Sequence, residues 1–130
     1  MFRQDLQQLA VIRQREARLL FGRGCFEGAY YLGGLGVECA LKACIARTTR
    51  RFEFPPKRPR IDRIYSHDLN ILLNEAGLKP PPALETHWAV VKDWRADVRY
   101  ITNLRRVEVR DFLRAAYGRK GVMQWLRQCW

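Results

Sequence analysis

Ala29-Tyr30-Tyr31-Leu32-Gly33-Gly34-Leu35-Gly36-Val37-Glu38-Cys39-Ala40-Leu41-Lys42-Ala43 is the stretch that decides the fold. At helical period, Phe26, Tyr30, Gly33, Val37, Ala40, Leu41 and Cys44 fall on one broad apolar face. Each of the three glycines in it costs up to ~1 kcal/mol of helix propensity relative to alanine. A helix carries that cost where another backbone comes close. Glu38 and Lys42 stand one turn apart inside the stripe, glutamate first, the favourable order for a charged pair. The segment therefore predicts the central helix of a bundle, pressed through its glycines against the first helix, with a polar pair at the packing surface.

The neighbouring segments extend this pattern. A first amphipathic helix is expected over 3–21, with Leu6, Leu9, Ala10, Ala17, Leu20 and Phe21 inward and Gly22 and Gly24 ending it. The central helix covers 25–49. From Arg50 to Tyr65, prolines 55, 56 and 59 among basic residues exclude regular helix and predict an exposed connection. Ser66 is the expected N-cap of a short helix, His67 to Ala76, with Asp68 in its first turn. Gly77-Leu78 has the form of a glycine C-cap with an apolar follower, and Pro80-Pro81-Pro82 blocks continuation. A fourth helix turns Leu84, Trp88, Val91 and Trp94 inward and ends near 95–100. Asn103 is the expected cap of a fifth, which packs Val109, Phe112, Leu113 and Ala116 and breaks at Gly118 and Gly121. No alternating strand pattern of useful length occurs. The expected class is all-α, an up-down bundle of four to five helices, in a single domain over residues 1–130.

The chain has 130 residues and a formal net charge of +11, from 24 basic and 13 acidic side chains. Arginine supplies 19 of the 24. Seven basic residues lie between Arg47 and Arg63 and seven between Arg99 and Lys120, each set against two acids. A partner rich in phosphate or carboxylate fits that balance, nucleic acid first. No run approaches the ~20 apolar residues that span a bilayer, and Met1-Phe2-Arg3-Gln4-Asp5 lacks the apolar centre of a signal peptide. A cytoplasmic location without membrane contact is expected. The four cysteines form no CxxC pair, so buried free thiols are expected, and two histidines without cysteine neighbours give no metal site. No cofactor motif is present. Gly33-Gly34-x-Gly36 lies inside a helix and lacks the Gly-Lys-Ser/Thr of a phosphate loop.

Three motifs in order resemble the HEPN superfamily (higher eukaryotes and prokaryotes nucleotide-binding). They are Tyr31-Leu32-x-Gly34-x-x-x-Glu38-x-Ala40-Leu41-Lys42-Ala43, then Tyr65-x-His67-Asp68-Leu69, then Trp94-Arg95-x-x-x-Arg99-Tyr100. The resemblance implies a small helical bundle that dimerises. It also implies one of two roles: a metal-independent endoribonuclease of toxin–antitoxin or defence systems, or a non-catalytic companion of a minimal nucleotidyltransferase. The family's ribonuclease motif sets a histidine a few residues after an arginine. Here Leu104, Arg105 and Arg106 stand where that histidine would follow Arg99, and none occurs after His87.

The leading expectation is thus a homodimeric binding module without ribonuclease activity. Its ligand would be RNA, a nucleotide or a nucleotidyltransferase chain, reached through Arg60, Arg63, Arg99, Arg105 and Arg106. Glu38, Lys42, Asp68 and Tyr100 are expected to form a polar cluster. The alternative is an endoribonuclease in which His67 exchanges the proton while Arg60 or Arg99 steadies the phosphate, chemistry that needs an acid–base group beside the 2′-hydroxyl and a cation on the phosphate.

Overall fold

A computed structural model describes residues 2–49 and 60–130, the side chain of Arg99 excepted. Among the described residues the regular structure is helical throughout. The elements are α1 (Arg3–Gly22), α2 (Phe26–Thr48), α3 (Arg60–Ile64), α4 (Leu69–Glu75), α5 (Glu85–Val91), α6 (Arg106–Tyr117) and α7 (Val122–Leu126), with 3₁₀ turns at Pro82–Leu84 and Ala96–Tyr100. No helix among them is long and apolar enough to cross a membrane.

α2 is the axis of the molecule, touching α1, α4, α6, α7 and the Ala96–Tyr100 turn. α1 and α2 form an antiparallel hairpin closed by a Schellman motif. Cys25 N–H donates to the Leu20 carbonyl at 2.9 Å and Gly24 N–H to that of Phe21 at 3.1 Å. Gly24 sits at φ +79, which an L side chain rarely adopts. The same motif ends α4 at Gly77, φ +68, as the Gly77-Leu78 pair foretold.

The glycines of α2 admit more than the first helix. A Cβ on Gly36 would lie 3.3 Å from the Ala10 carbonyl oxygen of α1 and 2.2 Å from the Tyr117 hydroxyl. On Gly33 it would meet Leu113 of α6 at 2.9 Å, and on Gly34 the Trp94 indole at 1.8 Å. Trp94 is 1% exposed, and its Nε1 donates to the Tyr30 carbonyl at 3.0 Å. Tyr117 in turn donates its hydroxyl to the Gly33 carbonyl, and burial pushes that phenol far above its ordinary range. The closest approaches to α2 thus come from aromatic side chains; a neighbouring backbone accounts for only part of the contact.

Other expectations change in detail. Residues 60–64 form α3 instead of continuing a connection, because the prolines lie before Arg60 and buried Ile64 anchors the turn. The expected connection over 50–59 falls outside the described residues. α4 is capped by Asp68 in place of Ser66: its Oδ1 accepts from Asn70 N–H at 2.9 Å and Ile71 N–H at 3.1 Å. The Ser66 hydroxyl instead accepts from Asp68 N–H at 3.0 Å. His67 is thereby left in the loop. α5 stops at Val91, so Trp94 packs from a turn, and α6 starts after Arg105, not Asn103. In α1, Leu6, Ala10 and Ala17 are buried, while Leu9, Leu20 and Phe21 are half-buried. Cys25 is exposed, contrary to the expectation of buried thiols, because it stands at the N-cap of α2.

Candidate nucleic-acid interface and a buried carboxylate

Among the described residues Glu38 is the buried charged side chain, 6% exposed. Helical spacing brings Lys42 Nζ to its Oε2 at 3.2 Å. Because α4 begins only at Leu69, the preceding loop can lay His67 across α2, with Nδ1 2.6 Å from Glu38 Oε1. The carboxylate thus has a partner on each oxygen. A buried carboxylate stripped of its cationic partner, here Lys42, costs several kcal/mol. A Nδ1–H directed at Glu38 fixes the plane of the imidazole, and the histidine side chain remains 56% exposed. This carboxylate–imidazole pair can orient a proton-transfer group at the surface.

The remaining sequence candidates are placed as follows. Asp68 is occupied by the α4 cap, and Tyr100 is exposed at the end of the Ala96–Tyr100 turn. Arg60 directs Nε to Glu75 Oε2 at 3.2 Å and Nη2 to the Glu75 carbonyl at 3.5 Å, and Arg63 binds the other oxygen of the same carboxylate. Among the described residues no bond joins Arg60 to His67, so that pairing is not formed. Arg105 bonds Glu108 at 2.7 Å within the first turn of α6. Arg106 lies over the Phe21 ring, 5.2 Å from its centroid. Cysteine chemistry has little support here, since burial pushes the Cys44 thiol up to about 12 and raises that of Cys39, which Glu38 lifts further.

A second locus is larger and was only half visible in the sequence. Arg18 of α1 donates Nη2 to the Tyr117 carbonyl at 2.9 Å. That carbonyl is one of the unpaired acceptors at the end of α6, and a guanidinium is its natural partner. Around Arg18 two grooves meet. One, between α1 and α6, is lined by Phe21, Arg106, Arg110, Leu113 and Arg114. The other, toward α7, is lined by Gln14, Arg119, Met123, Gln124 and Arg127. Of the six arginines, Arg110 pairs with Asp111 at 3.1 Å. For Arg18, Arg106, Arg114, Arg119 and Arg127 no carboxylate among the described residues lies within ion-pair distance. Arg106, Arg110, Arg114 and Arg119 belong to the basic run read from sequence. Arg18 and Arg127 escape a sequence reading because α1 and the last segment stand out by their inward stripes, not their outward charge.

Comparison with protein-family models, with curated proteins and with solved structures finds no match. The chemistry of both loci therefore rests on their own geometry.

Proposed function

We propose that this chain is an RNA-binding helical module of HEPN type, acting as a homodimer in a toxin–antitoxin or defence setting. Its phosphodiester-binding surface is the arginine face around Arg18. The observation that carries the reading is the set of five guanidinium groups without carboxylate partners among the described residues, lining two grooves that share Arg18. Unneutralised arginines at groove walls attract a phosphate backbone, and half-buried Phe21 with Arg106 over it offers an apolar floor for a ribose or base.

The test is salt dependence of binding to a labelled single-stranded RNA. Each phosphate contact contributes a slope of about −0.7 in log K against log salt. Arg114→Ala and Arg119→Ala should each flatten the slope by roughly that amount. Absence of affinity at low salt, or slopes indifferent to these changes, would reject the reading.

The 2.6 Å bond between His67 and Glu38 favours a second reading, a metal-independent endoribonuclease. In it His67 exchanges a proton with the 2′-hydroxyl and Glu38 holds the ring, while Arg60 or Arg99 would serve the phosphate. Expression should then arrest growth, and His67→Ala should relieve the arrest. Purified protein inert on single-stranded RNA would remove this reading while leaving the first intact.

A further inference from the structure

α1 also carries apolar side chains that the bundle does not use. Val11 is 46% exposed, Ile12 48% and Leu19 64%, and their spacing sets them on one side of the helix. They are not scattered singly. A groove between Gln7, Gln8, Val11, Ile12 and Trp130 meets, at Val11, a second one that runs on past Arg15, Leu19 and Arg127. From Gln7 to Leu19 the two span about 18 Å of helix axis, three turns and more. The Trp130 wall is fixed in place. Its carbonyl accepts from Gln7 Nε2 at 3.0 Å, and the Arg127 guanidinium lies 5.4 Å from its ring centroid.

We propose that this groove receives an amphipathic helix of a partner protein, one whose apolar ridge is bordered by carboxylates. Charge selects that occupant. Arg15, Arg18 and Arg127 border the groove, and Glu16, beside them in sequence, is already held by Arg13. A second copy of this chain would set arginine against arginine, in a molecule already at +11. An RNA strand brings no aliphatic ridge to cover Val11, Ile12 and Leu19. Helix-in-groove docking matches both the length and the anchors. The inference goes beyond RNA binding and shares Gln14, Arg18 and Arg127 with that surface.

The experiment uses two labelled helical peptides of about 14 residues. Both carry leucine at i, i+3, i+4 and i+7; one has glutamate on the flanking positions and its twin has lysine. The glutamate peptide binds in fluorescence anisotropy and the lysine twin does not. Ile12→Ser and Leu19→Ser each weaken binding roughly tenfold, with unchanged melting curves and unchanged RNA affinity. Arg15→Glu transfers the preference toward the lysine peptide. The proposal falls if both peptides bind alike, if neither binds, or if Ile12→Ser leaves affinity intact. It falls equally if Ile12→Ser instead abolishes self-association or binding to anionic phosphatidylserine vesicles. RNA affinity insensitive to Arg114→Ala, with peptide binding preserved, would overturn the RNA reading alone.

Discussion

Replacing Gly34 by alanine sets two effects of opposite sign against each other. Helix propensity favours the change by ~1 kcal/mol, since Gly34 lies mid-helix in α2. The added methyl, however, would stand 1.8 Å from Trp94 Cε2 and 2.1 Å from Cδ2 and Nε1. Ordinary carbon contacts are about 3.5–4.0 Å, so the indole must retreat by roughly two ångströms. It cannot retreat freely, because it is fully buried and bonded through Nε1 to the Tyr30 carbonyl. Overpacking costs about 1–3 kcal/mol, and a stranded buried donor about 1–3 more. Net destabilisation should be about 2–4 kcal/mol, a lowering of the melting temperature by roughly 7–15 °C for a domain of this size. Gly22→Ala is the control, because nothing lies within 4 Å of its Cβ position; it should be neutral or stabilising by up to ~1 kcal/mol. Thermal and urea melts followed at 222 nm read both. A Gly34→Ala protein as stable as the parent, or more so, would refute the idea that Trp94 requires the missing side chain.

Other expectations concern the polar groups. Lys42→Met leaves Glu38 buried with His67 as its partner among the described residues and should cost about 3 kcal/mol or more. His67→Ala, at an exposed position with Lys42 retained, should cost about 1 kcal/mol; urea midpoints would separate the two. Asp68→Ala removes the α4 cap and should cost about 1 kcal/mol, with amide exchange at Asn70 and Ile71 reporting the local loss. Cys44 keeps its proton in the folded state up to about 12, above its ordinary 9.0. Its contribution is therefore complete below pH 9 and declines as pH rises from there toward 12. At pH 8, mass-spectrometric alkylation should mark exposed Cys25 and spare Cys44 until the chain unfolds.

The long helices were legible because periodicity and glycine chemistry agree there. The α1–α2 hairpin, the buried stripe of α5 and α6 and the Gly77 cap all follow from local pattern. What escaped was decided by competition between neighbours. Ser66 and Asp68 are both good caps, and sequence alone does not choose between them; in the fold Asp68 caps α4 while the Ser66 hydroxyl accepts from Asp68 N–H. α3 was hidden by prolines that stop one residue too early to forbid it. The Glu38–Lys42 pair could be read from spacing, but its third member lies 29 residues away along the chain and needed the fold. The arginine face was harder still: α6 carries part of a visible basic run, but Arg18 lies in α1 and Arg127 just past α7, and only the fold brings them beside it. Arg60 and Arg63 looked like ligand contacts until Glu75, folded back from α4, engaged both.

The bond between Glu38 and His67 ties the chemistry of two distant positions together. While 38 is an acid, residue 67 must offer it a hydrogen; an aliphatic replacement there would leave one oxygen of the acid with no donor among the described residues. Natural variants of this protein should therefore keep a donor at 67 (histidine, amide or hydroxyl) wherever 38 is an acid, and admit an aliphatic side chain there only where 38 has become neutral. Such paired drift would be visible in related sequences without any assay.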